Sequence, residues 1–404
     1  MTDLLWPGMV HADGLFGDRH YLEAMVAVEQ AWLDALVEVG VAPDRGTDLR
    51  GLVDEIDLAD IARDSEPGGN PAQPVVTLLR ERSSNGWVHR GLTSQDVVDT
   101  ALILCARAAV HRLLPELRDQ VSTLVDLADR YRGALMPGRT LTQHAVPITF
   151  GLKAANWLTG VVASAERTAA LGFPVQIGGA AGTLSAAVEL TGSATTAREA
   201  VGSAAAALGL DEVLPWHTMR SPITAIGDAL VSATDAWGVI AADVTAMSRS
   251  GSRIVSDATP GGSSTMPHKQ NPTRAVLIRR AAIANPPLGQ TLHAAAALAV
   301  DERPDGAWHV EWPMLADLAR RTVVAGVHTS QLLSGLRVDD VAMARQARSA
   351  WSDLTAERTS IASFVGTEPS DGDYLGLTDF IVDRALAEAT AFLERNAAPI
   401  YKEK

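Results

Sequence analysis

Residues 257–272 read Asp-Ala-Thr-Pro-Gly-Gly-Ser-Ser-Thr-Met-Pro-His-Lys-Gln-Asn-Pro, between two long segments of helical apolar period. Pro260, Gly261, Gly262 and Pro267 forbid regular structure inside the stretch. Asn271 and Pro272 suit the N-cap and first position of a new helix. Two serines, a histidine, a lysine and an asparagine fall within nine residues. A polar, glycine-hinged loop held between helices suits a mobile catalytic lid. The plainer reading of such a loop is a solvated connection.

Outward from this loop, the chain reads as helix after helix. Apolar spacing predicts helices over Ile223–Ile254 before it and Thr273–Val300 after it, the latter interrupted at Pro286-Pro287. Upstream, the same period predicts helices over Arg19–Val39, Leu49–Arg63 and Val75–Arg82. A long one follows from about Val97 to Arg132, bent or split by Pro115, then Thr149–Leu171 and an Ala-rich one over 195–210. Downstream, Pro313 opens a helix to about Gly335, and a small helical part follows Val338. No strand-period alternation persists, so the expected fold class is all-α. Helices of this length need partners along their length, as in a bundle extended by subunit association.

Composition narrows the function classes. The chain has 404 residues, 47% hydrophobic and 20% charged, ordinary for a globular protein. Its net charge of −14 argues against nucleic acid or an anionic membrane as partner. A single cysteine, Cys105, excludes an intrachain disulfide and sits on an apolar helical face, where a packed core thiol is expected. Met1 to Pro7 lacks the pattern of a signal peptide, and no charge-free apolar run approaches a membrane span, so a cytoplasmic location is expected. The ten histidines form no HExxH or paired ligand spacing, so no catalytic metal is expected. GxGxxG and GxSxG are absent, which disfavours a nucleotide cofactor and a serine-hydrolase triad.

Four polar connections, at 87–96, 138–147, 215–222 and 257–272, punctuate the helices. Thr93 and Asp96 fit a capping box, and the helix N-terminus behind them suits an anion. Long antiparallel helices bring distant loops to one end, within a chain or between copies. One composite site could therefore gather His89, Thr93, Ser94, His144, Arg220, Ser263, Lys269 and Asn271. Such a set suits polycarboxylates: the cations and hydroxyls bind carboxylates while a proton carrier acts at the carbon beside one. A serine acts as base there only if its alkoxide is stabilised, for instance by Lys269 and glycine-loop amides. His309 and Glu311 fit packing and chemistry equally well.

Gly262 to Pro272 resembles G-S-S-x-M-P-x-K-x-N-P, the signature loop of the fumarase/aspartase superfamily. Four further stretches resemble the 3-carboxy-cis,cis-muconate cycloisomerase family: Val88-His-Arg-Gly-Leu-Thr-Ser-Gln-Asp, Gly138-Arg-Thr-Leu-Thr-Gln-His-Ala-Val-Pro, Pro215-Trp-His-Thr-Met-Arg and Glu302-Arg-Pro-Asp-Gly-Ala-Trp-His-Val-Glu-Trp. Leu141 stands where fumarases, argininosuccinate lyases and adenylosuccinate lyases carry histidine. Gln270 and Arg90 depart from the cycloisomerase pattern, where arginine and tryptophan are common, and the part after Val338 is shorter than usual.

The resemblance implies an all-α, fumarase/aspartase-like homotetramer around a long helical bundle, each site built from three subunits. Residues 1–96 would form an N-terminal helical domain, 97–338 the central bundle with loop 257–272, and 339–404 a short C-terminal helical domain. It implies no cofactor, and a reaction of aromatic (protocatechuate) catabolism: interconversion of 3-carboxy-cis,cis-muconate and its lactone. Ser263 would move the carbon-bound proton, with His144 and Lys269 also catalytic. His89, Thr93, Ser94, Gln143, His217, Arg220, Ser264, Asn271 and Arg303 would bind substrate. Adenylosuccinate-type elimination and a non-catalytic, crystallin-like scaffold are the alternatives.

Overall fold

The computed structural model describes residues 3–396. Met1, Thr2 and 397–404 lie outside the described residues, and with them the outer ends of the first and third expected domains. Helix α1 (Asp18–Glu38) forms where Leu22, Met25, Trp32, Leu33 and Leu36 recur at helical spacing, and all five are buried. The helix expected from Leu49 begins only at Leu58, as α2 (Leu58–Ser65). Acidic side chains hold turns there instead: Asp57 accepts from the Asp54 N–H at 3.0 Å, and Asp54 from the Ile56 N–H at 2.9 Å. Next come α3 (Ala72–Ser83) and α4 (Ser94–Arg130), the latter a single helix with Pro115 inside it.

A β-hairpin follows where a polar connection is expected. Strands β1 (Leu135–Thr140) and β2 (Gln143–Thr149) pair antiparallel, with Arg139 opposite His144 and Thr140 opposite Gln143. The two-residue turn, Leu141-Thr142, has φ of 48° and 73°, the left-handed values of a type I′ turn. Alternation did not announce it because Pro137 and Pro147 sit in the strands; in a two-stranded ribbon every strand is an edge and tolerates proline.

The chain continues through α5 (Phe150–Ala169), α6 (Ser185–Thr191), α7 (Ala194–Leu208) and α8 (Ser221–Met247). Strand β3 (Val255–Asp257) leads into the signature loop, and α9 (Thr273–Ala297) leaves it, running unbroken through Pro286-Pro287. Helix α10 (Gly306–Ser334) starts seven residues before Pro313. Those added turns are held by Trp308, whose Nε1 donates to Asp99 at 2.8 Å and whose ring packs edge-on to Trp312. Strand β4 (Leu336–Val338) pairs with β3, and α11 (Asp340–Ser349), α12 (Trp351–Leu354), α13 (Ala356–Val365) and α14 (Thr378–Arg395) complete the chain.

The chain divides into two compact units. The first comprises Met1–His111, Ala170–Leu230 and Pro286–Val323. Its core packs α1, α3 and the start of α4, with Leu22, Val75, Leu79, Val97 and Cys105 buried together. Burial pushes the Cys105 thiol up to about 12, as expected of a packed core thiol. The second unit comprises Arg112–Ala169, Val231–Asn285 and Val324–Lys404. There Gln120 accepts from Trp237 Nε1 at 2.7 Å and donates to the Gly326 carbonyl at 3.0 Å, while the Phe150 ring stands edge-on to Tyr131 and Trp157.

Among the described residues one helix, Ser221–Met247, is long and apolar enough to cross a membrane, with an 18-residue window of mean hydropathy 1.2. It carries Asp228, Asp235 and Asp243, and buries Ile223, Ile226, Leu230, Trp237, Ile240 and Val244 inside the protein.

Candidate active site

In the first unit the site is built on the N-terminus of α4. Helix α4 begins at Ser94, and Asp96 reaches back to the Thr93 N–H at 2.9 Å, the expected half of a capping box. The Thr93 hydroxyl does not complete the box; it accepts from Arg303. Asp96 is fully buried and also gathers the Gly178 N–H at 2.8 Å, the Gly179 N–H at 3.0 Å and His217 Nε2 at 3.3 Å. One carboxylate thus ties Thr93, His217 and the 178–179 turn together, and a buried acid needs such donors. Position 178 has to be glycine: a Cβ there would meet Pro215 Cβ at 2.7 Å and His217 Cε1 at 2.8 Å.

Beneath this layer lies a buried charge cluster. Arg220 makes a bidentate pair with Asp99, at 2.7 and 2.9 Å, and meets Glu311 at 2.6 Å. Its side chain is 0% exposed, so both carboxylates neutralise it away from solvent. Burial pulls the guanidinium's pKa down, but Asp99 and Glu311 outweigh that and hold it above its ordinary value. Arg220 was expected to offset substrate charge; the structure pairs it with Asp99 and Glu311, and it also donates to the His217 carbonyl at 3.2 Å. His89 sits on the same unit, its Nδ1 2.6 Å from Glu29 Oε1.

In the second unit the signature loop is closed at its neck by paired 2.9 Å hydrogen bonds between the backbones of Gly261 and Asn271. Asp257, just before the loop, pairs with Arg274 of α9 at 2.8 Å and anchors both ends of the loop to the helix. Ser263 Oγ accepts from the Met266 N–H at 3.1 Å and the Thr265 N–H at 3.4 Å. Donors aimed at a serine oxygen favour its ionised form. They come from Thr265 and Met266, where the glycine amides and Lys269 were expected. Ser264 and Lys269 are exposed on the same loop.

Asn271, expected both as N-cap and as a substrate ligand, has its side chain on the Gly262 carbonyl at 3.2 Å. It holds the neck, and α9 begins at Thr273. Gln270 lines a cavity of ≈ 220 Å³ with Asn271, Arg253 and Arg337. Gln143 and His144 stand on the hairpin tip, and His144 Nδ1 lies 3.7 Å from Asp353 Oδ2. Among the described residues no hydrogen bond or ion pair links that tip to the signature loop.

Sequence reasoning missed Glu29, Asp99 and the Asp257–Arg274 pair, and left Glu311 undecided. A signal existed for Glu29: it stands four residues after Met25 and three before Trp32, on the apolar stripe of α1. Asp99 follows Asp96 by one helical turn, on the same face of α4. Nothing in the spacing of Asp257 and Arg274 marks them as partners.

A family model described as Lyase matches residues 51–284, more than half of the chain. The chain belongs to the lyase family. This lyase is 39% identical to a nitrosuccinate lyase of Streptomyces davaonensis, over 80% of this chain and 71% of that protein. It is 33% identical to a 3-carboxy-cis,cis-muconate cycloisomerase of Bradyrhizobium diazoefficiens, over 94% of this chain and 86% of that one. The crystal structure of a 3-carboxy-cis,cis-muconate lactonizing enzyme from Pseudomonas putida superposes with a TM-score of 0.81 at 27% identity, covering 96% of this chain and 97% of that one. The lyase is therefore an enzyme of lyase/cycloisomerase type on the all-α fumarase/aspartase fold.

Proposed function

We propose that this lyase interconverts 3-carboxy-cis,cis-muconate and its lactone, in aromatic catabolism. The observation that carries the chemistry is Ser263 Oγ, held by the Thr265 and Met266 amides; cycloisomerase relatives over most of the chain support the substrate. A substrate carboxylate oxygen adds to the carbon β to a second carboxylate. The electron pair moves to the α carbon, which takes the proton of Ser263, and solvent restores that proton. Folding the diene so that oxygen meets carbon is a proximity effect. Stabilising the enolate-like intermediate calls for fixed positive charge and N–H donors.

In this reading Thr93, Ser94 and Arg303 bind one carboxylate at the α4 N-terminus. His89, His217, Gln143 and Ser264 complete the substrate contacts, with His144 and Lys269 near the reacting carbon. Arg220 and Asn271 act from behind, as supports. The candidate residues are divided between the two compact units, and we propose that sites are assembled from several copies in a homotetramer. The chain would be organised as 1–96, 97–338 and 339–404, and would work in the cytoplasm without metal or cofactor.

A second reading is elimination. It is favoured by the 39% identity to a nitrosuccinate lyase and by Gln270 and Arg90, which depart from the cycloisomerase pattern. The same Ser263 would remove a proton beside a carboxylate while the β substituent leaves with its bonding electrons.

Parallel assays decide between them. Purified protein is mixed with 3-carboxy-cis,cis-muconate, nitrosuccinate or adenylosuccinate, following loss of diene absorbance, nitrite release and fumarate formation. Diene loss alone supports the cycloisomerase. Nitrite release, or cleavage of adenylosuccinate, with the diene untouched moves the assignment to elimination. A well-folded protein inert on all three overturns both.

A further inference from the structure

We infer that Glu29 is a positioning residue for His89: it holds the Nδ1 proton, so that Nε2 is the atom presented to substrate. This rests on the reading of His89 as a substrate-site residue. Glu29 is 0% exposed and lies on the buried stripe of α1, where an apolar side chain is otherwise the rule. Its Oε1 lies 2.6 Å from His89 Nδ1, and its Oε2 has no hydrogen-bond partner among the described residues. An acid buried with an unused oxygen costs free energy that an alanine or leucine there would avoid. A feature that costs stability and touches one candidate site residue is best explained by what it does to that residue.

The loop around His89 is built to make this contact. The carbonyl before it, on Val88, accepts from Arg80 Nε at 3.0 Å and Nη2 at 2.9 Å. The carbonyl after it, on Arg90, accepts from Trp32 Nε1 at 2.6 Å. Between these two clamps His89 is held at φ 62°, a left-handed conformation uncommon for a non-glycine residue. Trp32 lies one helical turn beyond Glu29, so α1 supplies both the clamp and the carboxylate.

In the inferred arrangement Glu29 is the acceptor, so the proton of the 2.6 Å contact belongs to His89 Nδ1. Nε2 makes no hydrogen bond among the described residues, and the ring stays partly exposed, with a side-chain exposure of 17%. It is a lone-pair acceptor when the ring is neutral and a charged donor when the ring is protonated. Both forms serve a site that handles carboxylates and protons.

The test pairs an activity readout with one that needs no substrate. Nitrogen-15 NMR of histidine-labelled full chain, with the His89 signals assigned through His89→Gln, reports which ring nitrogen carries the proton. In the wild type, neutral His89 is expected to be protonated at Nδ1. In Glu29→Met, an apolar replacement of similar length, the proton moves to Nε2 and kcat/KM falls about 10²–10⁴-fold. If Glu29→Met does not fold, Glu29→Gln is read by the same spectrum and is expected to show a new Nε2–H population. Unchanged nitrogen shifts in the variant that folds overturn the inference. So does an altered tautomer with kcat/KM unchanged while His89→Gln is inactive. If the wild type turns over none of the three substrates, the reaction reading has failed, and the spectrum still decides the dyad.

Discussion

In the proposed reaction a serine oxygen takes a carbon-bound proton near neutral pH only if its oxyanion is stabilised, and two loop amides donate to Ser263 Oγ. Ser263→Ala is expected to lower kcat by about 10²–10⁴-fold while leaving the thermal midpoint unchanged, since the loop neck is held by Gly261, Asn271 and Asp257. A variant with full turnover would remove Ser263 from the chemistry. Arg220 predicts the opposite split. Replacing it with methionine leaves Asp99 and Glu311 buried without their cation, and the cost is about 3–5 kcal/mol, measurable by urea denaturation. Lysine should not restore it, because one ammonium cannot reproduce the bidentate fork. Ser263 was readable from sequence because the loop motif is contiguous. Arg220 was readable only as a positive charge, because its two partners lie more than ninety positions away on other helices.

Helical elements were legible where the apolar period is long. Helices α1, α4, α5 and α7 fall close to their expected spans, and α9 and α10 were mistaken only at their prolines. The hairpin was not legible, because its information lies in a turn conformation that Leu141-Thr142 does not advertise. Two non-glycine residues at positive φ carry strain, so Leu141→Asn with Thr142→Gly is expected to stabilise the protein by roughly 1–2 kcal/mol. A higher thermal midpoint checks this, and a lower one would mean that Leu141, 96% exposed at the tip, has a partner in the assembled protein. Helix α4 also carries a pH effect. Burial, with Arg107 adding to it, pushes His111 down to about 4 from 6.5. The folded state then binds fewer protons than the unfolded one between these values, so stability holds above about pH 6.5 and is lost as pH falls toward 4. His20 is shifted the same way by burial. Denaturation midpoints measured across this window should show a shallower slope in His111→Leu than in the wild type.

At the scale of the whole molecule, the candidate residues fall into two sets. Thr93, His217 and Arg303 belong to one compact unit, and Ser263, Lys269 and His144 to the other. If sites are shared between copies, Ser263→Ala and Thr93→Val proteins, each nearly inactive, should regain measurable turnover after mixing under conditions of subunit exchange. Light scattering should report four chains. A monomer, or a mixture as inactive as its parts, would overturn the shared site. The amino-acid sequence by itself determined the helical class, the superfamily loop with Ser263, and the capped start of α4. Each is written in contiguous residues through local spacing, turn chemistry or a motif. Only the tertiary structure decided that Asp96 binds the 178–179 turn, that Arg220 is sealed between Asp99 and Glu311, and that Glu29 faces His89. These pairings join positions far apart in the chain. They depend on which buried polar groups meet once the helices pack, and no local pattern records that.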